Sequence, residues 1–363
     1  MLNVLIPLSG KNSFEVSNLN SFPRILTEVE GKLLIERAAQ PFKQLSMDKS
    51  ITVAVPKQEA EKYQLEKVVT LLGSDFQTCI INGNTQGAAC SALLAIETFE
   101  LDEPLIIASF EQVMDFDISS LIQDFIDEGV DAGVLTFEAI HPKWSYVKTN
   151  KQGYVTQAAE KMPISKQAIA GLYYYKTAHS FVEAAKSMIQ KDVKTNGSFY
   201  ISPTLNEIIL NKGIVKSLSI DKNKYFHISD EHALESFEVR ISEERDNLKA
   251  RLVERTKNYV EAFNNKKISE VGEFFSLNFV LEDPAIRCEG RDNVIDYIEA
   301  IFNSHDTLSF CALNIFITDN LESIIEFKLT LGDKTLVGTD VIRWDNDLNM
   351  ISMNAYLYEK TDG

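Results

Sequence analysis

The sequence predicts an α/β unit built on a mostly parallel sheet, followed by a smaller α+β unit. Three observations carry this prediction. From residue 1 to about 237, short apolar runs alternate with amphipathic stretches, the pattern of βα units whose strands are covered on both faces. At about 238–258 the pattern changes to EVRISEERDNLKARLVERTKNYV, dense in charge with apolar residues at helical spacing. Beyond it helical patterns come first and four strand-like runs follow, the order of an α+β unit.

Taken in order, NVLIPL (3–8) reads as a first strand and runs into a glycine loop. KLLIERAAQPFKQL (32–45) has helical spacing, and SITVAVP (50–56) is a β-rich run. LEKVVTLLG (65–73) reads as a helix, TCIING (78–83) as a strand, and TQGAACSALLAIETF (85–99) as a helix with small residues on one face. PLIIASF (104–110) is a strand, SSLIQDFIDEG (119–129) a helix and AGVLTFEA (132–139) a strand. Sites in such sheets lie at the carboxyl ends of the strands. In the second part VIDYIEAIFNS (294–304) is helical. SFCALNIFIT (309–318), ESIIEFKLTL (322–331), KTLVGTDVIRW (334–344) and NMISMNAYLY (349–358) read as an antiparallel meander. The expected boundaries are 1–240, a linker helix at 241–253, and 254–363.

A chain of 363 residues is about two to three domains long, and its 45% hydrophobic and 25% charged content is that of a globular protein. The net charge of −17 disfavours a duplex nucleic-acid binder, which needs a basic face to neutralise phosphates. It does not oppose one small anion, which a few backbone N–H groups and one or two cations can hold. Residues 250–363 carry 11 basic and 20 acidic side chains, so the acidity is concentrated at that end. Cys79, Cys90, Cys288 and Cys311 lack CxxC spacing and sit in apolar runs, which predicts buried free thiols and no zinc site. No apolar run approaches the roughly 18–20 residues of a membrane span. MLNVLIPLSGK has no basic segment before its apolar run and reads as a strand, not a signal peptide, so a soluble cytoplasmic protein is expected.

LIPLSGK sets a glycine and a lysine directly after the first strand. Backbone N–H groups in such a loop can cradle a triphosphate, although one glycine after one strand is also an ordinary turn. SFPRILTEVEGKLLIERA (21–38) then adds Pro-Arg, Glu-Gly-Lys and a helix. With Gly10, Lys11, Pro23, Arg24, Gly31, Lys32 and Glu36 in register, the stretch resembles the nucleotidyltransferase branch of the GT-A superfamily, the sugar-phosphate and alcohol-phosphate pyrophosphorylases. TQGAACSALLA (85–95), PLIIASFEQVMDFD (104–117), HPKWSYVKTNKQGYVTQAAEKMPIS (141–165), GLYYYK (171–176) and NGSFYISPTLNEII (196–209) extend the resemblance to about residues 1–237, within a subgroup tied to capsule and surface-glycan biosynthesis.

The resemblance implies a Rossmann-like GT-A domain and a reaction in which a phosphate or phosphonate oxygen attacks the α-phosphorus of a nucleoside triphosphate, releasing pyrophosphate. Lys11 and Arg24 would be catalytic, Lys11 holding the β- and γ-phosphates and Arg24 bridging the acceptor and α-phosphates. Leu8, Ser9, Gly10, Gln86 and Gly87 would bind the nucleotide, with CTP favoured. Trp144, Glu160, Lys161, Gly171, Tyr173 and Asn196 would line the acceptor side, with Lys161 on its phosphate. Glu111 would hold Mg²⁺. Without the resemblance, Trp144 and Tyr173–Tyr175 read as core or cleft wall, His227 and His232 as surface residues, and Asp115 and Asp117 as caps of the next helix.

Four positions depart from the family pattern. Glu111 replaces Asp, Arg24 replaces a lysine, and Asn12-Ser13-Phe14 replace the usual second glycine and arginine. Phe-His-Ile-Ser-Asp-Glu-His-Ala (226–233) stands for Trp-Gly-Leu-Gly-Thr-Pro-Glu-Asp. Arginine offers a planar fork where lysine offers a point charge. The departures define a second reading, a catalytically weakened scaffold that binds a nucleotide or glycan precursor. A third, a glycosyltransferase using a finished nucleotide sugar, fits the glycine loop less well.

Residues 254–302 order a helix with Tyr259 and Phe263, a short helix, a strand ending in Glu282-Asp283-Pro284, and Gly290-Arg291-Asp292 opening another helix. With four strands after it, this layout resembles the cone-shaped barrel of the nuclear-transport-factor-2 and SnoaL-like family. The resemblance implies an apolar pocket and a homodimer through the open sheet face. Asp283 at the cone mouth reads as a turn carboxylate, or as a general base if burial raises its pKa.

Overall fold

The computed structural model describes residues 1–8, 14, 16 and 22–359, which form two compact units, Met1–Val239 and Arg240–Gly363. The first opens with β1 (Leu2–Pro7), the two-residue strands β2 (Glu28–Val29) and β3 (Lys32–Leu33), and α1 (Leu34–Lys43). Then come β4 (Lys49–Pro56), α2 (Lys57–Tyr63), α3 (Leu65–Leu72), β5 (Phe76–Ile81), α4 (Ala88–Leu94), β6 (Leu105–Ala108), β7 (Gln112–Met114), α5 (Ser119–Asp127) and β8 (Ala132–Glu138). The unit continues with β9 (Tyr146–Thr149), β10 (Val155–Ala159), β11 (Gln167–Tyr175), α6 (Ala178–Gln190), α7 (Thr204–Leu210), β12 (Val215–Ser219) and β13 (Tyr225–His227).

The main sheet runs β5-β4-β1-β6-β11, with β1 parallel to β4 and β6, and β4 parallel to β5. Val4, Leu5, Ile6, Ile51, Val53 and Val55 are buried because helices cover both faces, which is why these strands lack alternation in the sequence. β11 breaks the parallel order. Its second half pairs antiparallel with β6, its first half with β9, and β8 lies along its other side. A register shift between Ile169 and Tyr173 bends β11 at Gly171. β7 leaves the main sheet and pairs antiparallel with β13.

The second unit contains most of α8 (Glu231–Asn264), a helix that includes the stretch expected as a linker. It continues with α9 (Ile268–Gly272), β14 (Phe275–Glu282), β15 (Arg287–Glu289), α10 (Arg291–Ser304) and the meander β16 (Leu308–Ile317), β17 (Ser323–Leu331), β18 (Lys334–Trp344) and β19 (Met350–Glu359). The sheet order is β15-β14-β19-β18-β17-β16, with β14 parallel to β19. Tyr259, Phe263, Phe275, Phe279, Phe310 and Phe327 fill the interior, and the rings of Phe275 and Phe279 stack at 4.2 Å. Full burial of one such ring is worth roughly 1.5–3 kcal/mol.

The buried-thiol expectation needs correction. The four cysteines are free, but Cys79, Cys90 and Cys288 are half-buried and Cys311 is exposed. Cys311 follows inward-facing Phe310 on β16, and strand alternation turns it outward.

Candidate functional site

The carboxyl ends of β1 and β6 open on one region of the first unit. Leu8, just past β1, is buried and donates its N–H to the Ala54 carbonyl at 2.8 Å, so the strand pairing continues to the start of the loop. Ser9, Gly10 and Lys11 lie outside the described residues. Pro23 leads into a 3-10 turn, Arg24–Leu26, and Arg24 is 9% exposed. Glu111 follows β6, half-buried, with its N–H donating to Ser109 Oγ at 3.0 Å. Its carbonyl accepts from the Ile228 N–H at 2.7 Å, which fastens the end of β13 to the end of β6.

The pairing of β13 with β7 corrects the reading of His227 as a surface residue. The strand folds back beside Glu111 and sets the His227 ring edge-on to Trp144, with centroids 4.7 Å apart. Lys143 Nζ lies 4.7 Å from the centroid of the Trp144 ring. Burial, then the positive charges of Lys143 and Arg24, push His227 down to about 4, while Asp230 works against them. His232 is exposed, as expected. Asp230 receives the Ala233 N–H at 2.9 Å and the Ser229 hydroxyl at 3.2 Å, starting α8. Asp117 likewise receives the Ser119 N–H at 2.8 Å before α5, whereas Asp115 uses its own N–H on the Lys224 carbonyl.

Beneath these groups lies a buried amide that the sequence did not single out. Gln112 is 1% exposed, donates to the Gly171 carbonyl at 3.2 Å and accepts from Tyr225 at 3.1 Å. Gly171 has φ +59, and a Cβ there would lie 2.3 Å from Gln112 Oε1. This glycine therefore admits the Gln112 side chain, which ties β7, β11 and β13 together. Burial, and then the Glu111 charge, push the Tyr225 phenol far up, so it remains a neutral donor.

The acceptor-side candidates form a neighbouring group. The hydroxyls of Ser145 and Ser202 both donate to Glu160 Oε2, the latter at 2.7 Å. Tyr173 is buried, and burial followed by the Glu160 charge raises its phenol well above the ordinary range. Lys161 adopts φ +54 and donates to the Tyr200 hydroxyl at 2.8 Å. Trp144, Ser145, Tyr173 and Tyr225 join this group to the first. Asn196 stands apart in role: Asn196 (φ 50) and Gly197 (φ 77) make a tight turn closed by paired Thr195–Ser198 hydrogen bonds, the geometry an Asn-Gly pair favours. Gln86 and Gly87 meet the chain just after that turn. Phe199 donates to the Gln86 carbonyl at 2.7 Å, and its own carbonyl accepts from Ala89 at 3.1 Å.

Among the described residues no three His, Cys, Asp or Glu side chains gather as a metal cage. Glu111, at the end of β6, is a carboxylate that could give a magnesium ion one oxygen ligand, the sparse kind of site that such an ion completes with water and ligand oxygens.

The histidine gives a pH test. The folded chain protonates His227 at about 4 against an ordinary 6.5, so the unfolded chain binds more protons between those values. The contribution is complete above about pH 6.5 and lost as pH falls towards 4, at most about 3 kcal/mol. Urea unfolding at pH 7 and pH 5 is expected to show a smaller pH-dependent loss in His227→Phe than in the wild type. Equal losses would assign the effect to other groups.

With its strand order and reversed β11, the first unit shares the fold of solved nucleotide-sugar pyrophosphorylases. Residues 256–349 match the model of the SnoaL-like domain. A nucleoside-diphosphate-sugar pyrophosphorylase from Vibrio cholerae RC9 superposes with a TM-score of 0.56 at 19% identity, over 65% of this chain and 99% of that one. A Bacillus anthracis protein assigned as a glucose-1-phosphate thymidylyltransferase, solved with sucrose, gives 0.51 at 17% identity, over 66% of this chain and 93% of that one. No curated protein matches the chain in sequence.

Proposed function

We propose that the chain is a nucleotidyltransferase that joins a nucleoside triphosphate to a small phosphorylated metabolite or sugar phosphate and releases pyrophosphate. The observation that carries the reading is the gathering of Arg24, Glu111, Lys143 and His227 at the strand ends of a pyrophosphorylase fold. Phosphoryl transfer of this kind needs positioning and charge stabilisation more than covalent help. Lys11 and the loop after Leu8 hold the outer phosphates. Arg24, kept in place by the Pro23 turn, presents its planar fork to the α-phosphate and the attacking oxygen. His227 is neutral at pH 7, so it adds a hydrogen bond there without a charge. Lys161 and Lys143 draw in the acceptor phosphate, and Tyr173 and Glu160 fix its hydroxyl-bearing part. Bound magnesium, held by Glu111, would neutralise phosphate charge.

CTP is the favoured nucleotide and capsule or surface-polysaccharide assembly the favoured setting, both by analogy with the subgroup. The same reading makes the protein a cytoplasmic homodimer through its second unit. It is supported by free cysteines and by Phe316, Tyr356 and Tyr358, exposed on the sheet face away from the β19 residues that turn inward. No described helix is long and apolar enough to cross a membrane. The scaffold reading is favoured by the four departures from the family pattern, at Glu111, Arg24, residues 12–14 and residues 226–233. Incubation with each NTP and a panel of phosphorylated sugars and alcohols, with pyrophosphate measured, separates the two. Release above an Arg24→Ala, Glu111→Ala double variant supports the enzyme, whereas nucleotide binding without turnover supports the scaffold.

A further inference from the structure

The chain contains two Asn-Gly pairs, Asn82-Gly83 and Asn196-Gly197, and the fold holds them in opposite ways. Asparagine before glycine is open to attack by its own backbone, because glycine has no Cβ to shield the nitrogen. At Asn196 the turn is closed. Thr195 and Ser198 exchange both backbone hydrogen bonds at 3.0 Å, and Asn196 sits in the left-handed region at φ 50. Asn82 follows β5 with no such closure. Asn82, Gly83 and Asn84 are exposed, and among the described residues neither the Gly83 N–H nor the Asn82 side chain makes a hydrogen bond. Gly83 has φ +81, and no atom lies within 4 Å of the position a Cβ would take. This pair is open to water, and no hydrogen bond opposes rotation of its backbone.

We propose that Asn82 is a self-modifying site, which converts with water alone into aspartate or isoaspartate. The Gly83 backbone nitrogen attacks Asn82 Cγ, so a C–N bond forms and the Cγ–Nδ2 bond breaks. The side-chain nitrogen leaves as ammonia and takes the proton that Gly83 gives up. Water then opens the cyclic imide at either carbonyl. One opening yields aspartate, the other an isoaspartate whose main chain runs through the former side chain, and nothing is oxidised or reduced. Ring closure requires the asparagine backbone to turn until Cγ faces the next nitrogen. At Asn196 that rotation breaks the Thr195–Ser198 pair, whereas at Asn82 it breaks no hydrogen bond. Two hydrogen bonds of ordinary strength slow the closed site by at least about tenfold. The open site lies on a sensitive path. Residues 82–85 carry the chain from β5 into Gln86 and Gly87, which are fixed against the Phe199 backbone. Either product adds a negative charge to that path, and isoaspartate also lengthens it by a methylene. The modification is independent of the nucleotidyltransferase reading, while its effect on nucleotide binding, through Gln86 and Gly87, rests on that reading.

The test ages the full chain at pH 8.5 and 37 °C, digests it, and follows both pairs by fragment-ion mass spectrometry, with enzymatic methyl labelling of isoaspartate as a second readout. Asn82 is expected to convert at least about tenfold faster than Asn196 in the folded chain. In concentrated urea, where the turn at Asn196 is gone, the two pairs are expected to convert at equal rates. Equal rates in the folded chain, faster conversion at Asn196, or an intact Asn82 in the folded chain would overturn the proposal. A second arm measures binding of CTP with Mg²⁺. Aged wild type is expected to lose affinity in step with its isoaspartate content. Aged Asn82→Gln, whose longer side chain closes the ring far more slowly, is expected to keep the affinity of fresh protein. If fresh protein binds CTP and the converted protein binds it equally well, the placement of Asn82 on the nucleotide path is overturned. If fresh protein binds no nucleotide, the nucleotidyltransferase reading fails, and conversion confined to Asn82 still upholds the modification site.

Discussion

Replacing Arg24 by alanine is expected to lower the rate of pyrophosphate release by about 10²–10³-fold, or roughly 3–4 kcal/mol of barrier, the usual loss for a preorganised charge donor at a reacting oxygen. The structure gives reasons for so large an effect. Arg24 is almost fully buried, its backbone is held by the Pro23 turn, and its charge already reaches His227 and Asp230. Such a group reorganises little when charge develops on a phosphate. The loss should fall on kcat more than on KM, because the interaction is strongest in the transition state. Arg24→Lys tests the fork itself. A lysine keeps the charge and loses the two-pronged geometry, so it is expected to restore only part of the rate. A rise in KM with kcat unchanged would instead make Arg24 a plain binding residue.

Gly87→Ala is the substitution expected to cost the first unit most stability. Gly87 has φ +126, and an added Cβ would lie 2.4 Å from the Phe199 carbonyl oxygen and 2.7 Å from its nitrogen. Both are backbone atoms and cannot swing aside as a side-chain tip could. Relief requires breaking the two hydrogen bonds that join residues 86–89 to Phe199. Backbone strain, overpacking and lost hydrogen bonds together come to about 3 kcal/mol or more. For a unit of this size that lowers the melting temperature by roughly 6–12 °C. Gly197→Ala is the natural control, since its φ is +77 but no atom lies within 4 Å of its Cβ position. Strain alone costs about 1 kcal/mol there. If both variants melt alike, the close approach at Phe199 is not the cause.

The residues that were legible in the sequence are those whose role follows from local pattern. The apolar runs at 3–8, 50–56 and 104–110 appear as β1, β4 and β6, because strands buried on both faces need no partner to be recognised. The second unit's meander shows through in the same way. What local pattern could not reveal depends on long-range pairing. The reversal of β11 is invisible in GLYYYK, since an apolar strand reads alike in either direction. His227 looked exposed because its segment is polar. Only the β13–β7 pairing, joining residues more than a hundred apart, carries the ring to Trp144. Gln112 reads in sequence as an ordinary polar residue beside Glu111, and its close approach to Gly171, 59 residues away, exists only in the fold. In the second unit Asp283 stands out in sequence because it sits in a recognisable turn. Asp340 is flanked by Thr339 and Val341 in a plain strand, and its burial is a property of the folded interior.

The topology also sets an order in time. A chain emerging from its N-terminus can pair β1, β4, β5 and β6 as soon as Ala108 has appeared, because these contacts are local βα steps. The outer edge of β6 then has no mate until β11 arrives about sixty residues later, a wait of several seconds at ordinary synthesis rates. During that interval the strand shows an open ladder to any other nascent chain. β7 waits longer still, until Tyr225–His227 are made. The candidate site is thus the last part of the first unit to be completed, and a truncated product ending before residue 225 would carry most of the apolar core with that site unfinished.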